Sequence, residues 1–168
     1  MLGVNALSGF GSGPVGSQSF RYFRIDITLN NGGPNVRIAN TKLFAEAVET
    51  PSAAMTSNTA PSPLVASASA DDGAGSLPFN AFDDDLSLYW GTPSVTTGYL
   101  QLDVGSGNEF ALTSVKITAP NAGIMTPLPK DFTIEGSNTG SFSGEETLLK
   151  TVTGETGWST SEERTYTI

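Results

Sequence analysis

At 168 residues the chain can bury one hydrophobic core without staples, because about 70% of the unfolded surface of a chain this size leaves water on folding; one domain is predicted. With 0 Cys and 0 His it has no disulfide, no thiolate or imidazole metal ligand and no Ser-His-Asp or Cys-His nucleophile system, so only carboxylate chemistry survives as a route to catalysis. The net charge of -9 opposes nucleic acid and anionic lipid, which need a basic face, and no apolar run approaches the ~20 residues of a membrane-spanning helix.

Residues 1–19 are interrupted by Gly3, Gly9, Gly11, Gly13 and Gly16 and read as an extended N-terminal arm. Met1 to Val4 lack the basic start and long apolar core of a signal peptide, so nothing here directs Sec export. From Arg21 the pattern alternates strictly. Phe23, Ile25, Ile27 and Leu29 face one way and Tyr22, Arg24, Asp26 and Thr28 the other, which is a half-buried strand. Asn30 to Pro34 supplies turn residues, and Val36 and Ile38 resume the alternation, so a long hairpin ending near Phe44 is expected. Residues 46–64, rich in Pro, Ser, Thr and Ala, read as a connection, and Asp71 to Asp85 as loop.

Short strands are predicted at Tyr99 to Val104, with Leu100, Leu102 and Val104 inward, then at Phe110 to Thr118, Asp131 to Glu135, Leu148 to Val152 and Thr165 to Ile168. A change of phase between Leu112 and Val115 suggests a β-bulge. No segment carries a helical period. Strands joined by Gly-, Ser- and Asn-rich turns without crossover helices indicate an all-β chain folded as an antiparallel two-sheet β-sandwich. The expected organisation is an arm over 1–19 and one sandwich over 20–168. Within it, 20–45 is the completing hairpin, 46–64 the connector and 65–168 the main body.

Three segments carry a family likeness. Phe79-Asn80-Ala81-Phe82-Asp83-Asp84-Asp85-Leu86-Ser87-Leu88-Tyr89-Trp90 resembles the Ala-Phe-Asp-Gly-Asp…Thr…Trp loop of the discoidin family, the coagulation factor type C domains. Leu100-Gln101-Leu102-Asp103-Val104-Gly105 is similar to that family's strand ending in Asp-Leu-Gly, and Pro129 to Gly140 resembles its Pro…Phe…Ile-Glu-Gly-Ser-Asn-Asp-Gly segment. Order and spacing agree over most of residues 65–168. The resemblance implies a jelly-roll sandwich of the galactose-binding-like type. It also implies a circular permutation. The family's closing hairpin, an Arg-Tyr-Trp-Arg-like strand and its partner, is similar to Arg21 to Ala39 at the front of this chain. That hairpin is expected to fill the place beside Ile168, in its own subunit or in a neighbour. The arrangement most resembles discoidin-like modules of bacteriophage tail and virion proteins.

The family's structural calcium sits at the Asp-rich loop. The resemblance gives Asp83 a side-chain ligand role and Asp85 and Ser87 neighbouring ones, with Asn40 in the position of the family's acidic residue and Asp84 in place of its glycine. Calcium takes 6 to 8 oxygens in irregular loops, which suits such a set; a solvated acidic turn is the alternative. Adjacent carboxylates on one short loop do not make a sugar-sized catalytic cleft, so no enzyme activity is expected. For glycan binding the candidates are Tyr89, Tyr99 and Asn121, with Arg24 and Trp158, although the family pattern makes Trp90 and Trp158 core residues. Ile124 and Met125 form an apolar loop tip expected to pack on the sandwich end or on a neighbouring subunit.

These observations lead to a structural, non-enzymatic protein of a phage virion, a tail or capsid-decoration component. Its arm would dock on copies of itself or on other virion proteins. The alternative is an adhesion module that recognises surface glycans outside the cell. An accessory domain of a secreted enzyme is a third reading, with no catalytic partner in the chain.

Overall fold

The computed structural model describes residues 18–73, 75–123 and 125–168. In chain order its strands are β1 (Tyr22–Asn30), β2 (Arg37–Ile38), β3 (Asn40–Ala45), β4 (Val48–Thr50), β5 (Val65–Ala68), β6 (Trp90–Gly91), β7 (Gly98–Asp103), β8 (Ser114–Thr118), β9 (Pro129–Ser137), β10 (Thr147–Val152) and β11 (Glu163–Thr167); a 3-10 turn spans Pro78–Phe82 between β5 and β6. Every pairing is antiparallel, and no α-helix occurs among the described residues. A five-stranded sheet in the order β10-β9-β1-β7-β5 and a four-stranded sheet in the order β11-β8-β3-β4 form the two layers, with a small β2-β6 ribbon at one end.

The alternation that predicts β1 places it centrally. Phe23, Ile25 and Ile27 are buried, and the residues between them are half-exposed on the outer face of the five-stranded sheet. β1 pairs with β7 from Tyr22 to Ile27 and with β9 from Tyr22 to Asn30, so its backbone groups are satisfied on both sides. Leu100, Leu102 and Val104 point inward as their spacing predicts. The layers meet in one core. Phe132 of β9 stands edge-on to Tyr166 of β11 with ring centroids 5.1 Å apart, and Ile134, two residues along β9, is buried in the same core. Trp90 is fully buried and its indole Nε1 donates to the Ala70 carbonyl at 2.9 Å, which closes off the loop end.

Four expectations are corrected. Residues 21–44 are not a hairpin: β1 lies in the five-stranded sheet and β3 in the other, so the Asn30 to Val36 segment crosses between layers. The sharp turn comes later, at Glu46 (φ 55°), where β3 reverses into β4 inside the expected connector. The N-terminal hairpin does not lie beside Ile168. Among the described residues Phe23 to Leu29 pairs with no part of β11, which pairs with β8, and β1 packs within its own chain. Leu29 is exposed and Asn30 buried, because register shifts on either side of Leu29 turn the end of β1 over. Finally, the phase change near Leu112 is a break and not a bulge. Residues 111–113 leave the strand, and Phe110 makes a separate bridge to Phe20. Of the predicted arm, residues 1–17 and the tip residue Ile124 lie outside the described residues; Met125 packs against the core.

Phe20 is the first core residue among the described residues. Its ring lies over Gly136, where an added Cβ would come within 2.6 Å of it. Gly136→Ala is therefore expected to lower stability by about 1–3 kcal/mol through overpacking. Phe20→Ala in the same chain should recover part of that loss, as coupling of the urea-unfolding free energies in a double-mutant cycle. Additive losses would mean that Phe20 does not seat there.

Candidate functional site

The acidic loop begins where the 3-10 turn ends. Pro78, Asn80, Ala81 and Phe82 are buried, so the turn anchors the loop while its carboxylates reach solvent. Asp83 Oδ1 accepts the Asp85 N–H at 2.8 Å, and Asp85 Oδ1 accepts both the Ser87 N–H at 2.9 Å and the Ser87 hydroxyl at 2.6 Å. These are two successive Asx turns, the local reason for Asp at both positions. Between them Asp84 has φ 59°, a left-handed conformation at the position where the similar family carries glycine.

β3 brings two side chains to this loop. Asn40 Nδ2 donates to Asp84 Oδ1 at 2.9 Å, and the Lys42 ammonium lies 3.0 Å from the same oxygen and 2.6 Å from Glu49 Oε1. Asn40 meets the acidic loop through Asp84 and not through Asp83 or Asp85. It is 5% exposed, and its Oδ1 is buried without a hydrogen-bond partner. A buried, unpartnered carbonyl oxygen beside carboxylates is a donor of the hard type that calcium takes. Asp83, Asp85 and Ser87 carry further oxygens on the same loop, engaged in its Asx turns. Among the described residues no three acidic side chains converge as a ready-made metal cluster, so carbonyls and water would have to complete the shell. Lys42 already neutralises Asp84.

The charges on the loop are tuned in opposite directions. Burial first, and then the like charge of Asp85, push the Asp83 carboxyl above its usual range. The Ser87 hydroxyl and N–H hold Asp85 below it. A raised folded value means that Asp83 favours the fold while protonated and opposes it as pH rises from the ordinary carboxylate range through the folded value. Asp85 works the other way, its contribution being lost as pH falls through its folded value.

The expected ligand residues are not joined in one constellation. Tyr89 is stacked by the Arg37 guanidinium, 4.6 Å from the ring centroid. Tyr99, on the outward face of β7, is covered by Arg24 at 3.9 Å; Phe142 lies on that guanidinium at 3.8 Å, and Gln101 Oε1 accepts from its Nε and Nη2. Asn121 is exposed and its N–H donates to the Leu86 carbonyl at 2.9 Å, so it flanks the acidic loop.

A further grouping forms around Trp158, whose neighbours the sequence did not announce. Asn31, Met125, Thr126, Gly157 and Trp158 line a shallow bowl of about 230 Å3. Arg164 lies against the Trp158 ring at 4.1 Å and is itself held by Glu155 and Glu162, while the indole Nε1 donates to the Pro129 carbonyl at 3.2 Å. Asn31 donates its Nδ2 to the carbonyls of Leu128 and Pro129 at 3.0 and 3.2 Å, which fixes the amide and leaves Oδ1 as the acceptor. Asn31 read only as a turn residue. Its pairing with Trp158, far along the chain, had no local signal.

In chelator, Asp83→Asn keeps the Asx turn and removes the desolvated charge. The variant is expected to melt above the parent at neutral pH and together with it near pH 3, as read by thermal midpoints. A parent that melts above the variant at neutral pH in chelator would contradict the raised carboxyl.

Compared with known proteins, the chain matches no family model, no curated protein and no solved structure, so its discoidin likeness rests on the motifs themselves.

Proposed function

We propose that the protein is a non-enzymatic assembly component of a phage virion, a tail or capsid-decoration part built on a discoidin-like jelly roll, which contacts other virion proteins or its own copies through the N-terminal arm and the sheet edges. The observation that carries this reading is where the exposed apolar side chains fall. Four of the seven exposed large aliphatics among the described residues fall at sheet edges, Val48, Val65 and Leu148 on the edge strands β4, β5 and β10 and Ile168 directly after the edge strand β11, while Leu29, Leu88 and Val95 lie elsewhere. Isolated sandwiches guard their edges with charge, proline or bulges, because unpaired backbone groups beside aliphatics template association. Aliphatic side chains at all four edges suit a protein that meets neighbours. In this reading Asp83, Asp85, Ser87 and Asn40 hold a structural calcium that stiffens the loop end.

The second reading, a module for surface glycans, is favoured by the Trp158 bowl. An indole edge, a fixed amide oxygen and the Thr126 hydroxyl suit one neutral sugar ring.

Light scattering from micromolar to millimolar protein tests the first reading. Full-length chain is expected to form oligomers towards the upper end, and removal of residues 1–19 to abolish them while the melt is kept; concentration-independent monomers in both forms would overturn self-assembly. For calcium, a hundredfold excess over its dissociation constant should add about 2.7 kcal/mol, lost in Asp83→Asn. An unchanged melt makes the loop a solvated turn. Quenching of Trp158 fluorescence by millimolar monosaccharide, abolished in Asn31→Ala, would shift the assignment to the glycan reading.

A further inference from the structure

The segment that crosses between the layers after β1 carries a chemically labile pair. Asparagine amides are thermolabile, and among the asparagines of the chain only Asn31 precedes a glycine. With no Cβ beside it, the Gly32 nitrogen can approach the Asn31 carboxamide more closely than that of any other residue type. Gly32 is exposed, with φ 97° and no atom within 4 Å of where a Cβ would stand. The reaction open to the pair is deamidation. The Gly32 nitrogen loses its proton to hydroxide and bonds to Asn31 Cγ, the Cγ–Nδ2 bond breaks, and Nδ2 takes up a proton and leaves as ammonia. Water then opens the five-membered imide at either carbonyl, giving aspartate or isoaspartate, so the net change is hydrolysis of one amide.

In the folded chain both reacting groups are tied down. The Gly32 N–H donates to Asn30 Oδ1 at 3.0 Å. Asn31 Nδ2 donates to the carbonyls of Leu128 and Pro129 at 3.0 and 3.2 Å, and the Asn31 N–H donates to the same Leu128 carbonyl at 3.1 Å. Asn30 is buried and fixed in turn, its Nδ2 donating to the carbonyls of Gly33 at 3.0 Å and Asn35 at 2.6 Å. Swinging Cγ onto the Gly32 nitrogen breaks the Gly32 bond and both Nδ2 bonds together, so the segment must first lift away from residues 128–129.

The product does not fit back. Aspartate at this position would set an acceptor-only carboxylate against two carbonyl oxygens where a donor stood. Isoaspartate would add a main-chain atom just ahead of Gly33, which lies so close to Pro127 that even an added Cβ would meet the proline nitrogen at 2.8 Å.

We propose that Asn31 is a covalent modification site masked by the fold: it deamidates through the Gly32 nitrogen when the crossing segment opens, and the product obstructs its return. The event is a one-way record of local opening, because the ammonia is lost. Asn31 also lines the Trp158 bowl, so the same event replaces a fixed neutral amide there with a charge. The chemistry is the same whether the protein assembles or binds glycan.

Full-length protein held in mildly alkaline buffer, native and in urea, tests the site by peptide mass mapping and isoaspartate content. In urea Asn31 is expected to deamidate ahead of every other asparagine. In native buffer its rate is expected to fall at least about tenfold, which asks only that the crossing be open in fewer than about one molecule in ten. Asn31→Asp is expected to melt below both the parent and Asn108→Asp, which adds the same charge at an exposed position. A different asparagine leading in urea would overturn the assignment of the site, and equal rates in urea and native buffer would overturn the mask. Asn31→Asp melting together with Asn108→Asp would overturn the obstructed return.

Discussion

The sandwich depends on the insertion of β1 between β7 and β9. Its partners lie far along the chain: Tyr22 stands opposite both Asp103 and Ser137, so neither half of the five-stranded sheet is complete until the N-terminal strand has docked. Withdrawing β1 would expose Phe23, Ile25 and Ile27 and open two internal sheet edges at once. Contacts of such separation make folding slow relative to helical domains, because loop closure precedes the burial that rewards it. The entry point is held accordingly. Phe20 packs on Gly136, Arg21 makes a two-pronged ion pair with Asp103 at 2.8 Å, and the Arg21 N–H donates to Asn138 Oδ1 at 3.0 Å.

The acidic surplus is absorbed locally, mostly by loops that cap their own carboxylates. Glu145 accepts from the hydroxyls of Ser137, Thr139 and Ser141 and from the Phe142 N–H, which together hold it below the ordinary glutamate range and fold the β9–β10 loop over the outer sheet face. Glu162 is held down by Arg164 and the Ser159 N–H. The arginines are committed as well. All four stack on rings: Arg21 on Tyr22, Arg24 between Tyr99 and Phe142, Arg37 on Tyr89 and Arg164 on Trp158. The consequence is for recognition, because the aromatic residues that look like glycan platforms in the sequence already carry a cation on one face.

The candidate sites divide along the same lines. The Asp83 to Ser87 loop is built by neighbours in sequence, two Asx turns and a left-handed residue, and so it was legible in the motif. Its link to β3 runs through Asn40 and Lys42, which no local pattern in the loop announces. Trp158 and Asn31 come to line one bowl because the segment after β1 crosses between layers. Alternation and turn composition say nothing about that.

By itself the sequence determined the class of structure and most of its strands. Period-two patterning at Phe23 to Ile27, Leu100 to Val104 and Phe132 to Ile134 decides which side chains are buried, since a pleated strand turns alternate residues to opposite faces. The absence of Cys and His likewise settled what chemistry the chain lacks. Partner choice was decided in three dimensions. A strand's pattern is the same whether it pairs with the next strand or crosses to another layer, so Asn30 to Pro34 read as a hairpin turn although it bridges the sheets. Register at Leu29, the seat of Phe20 and the position of β11 follow from which backbones satisfy one another, and only the tertiary structure holds that information.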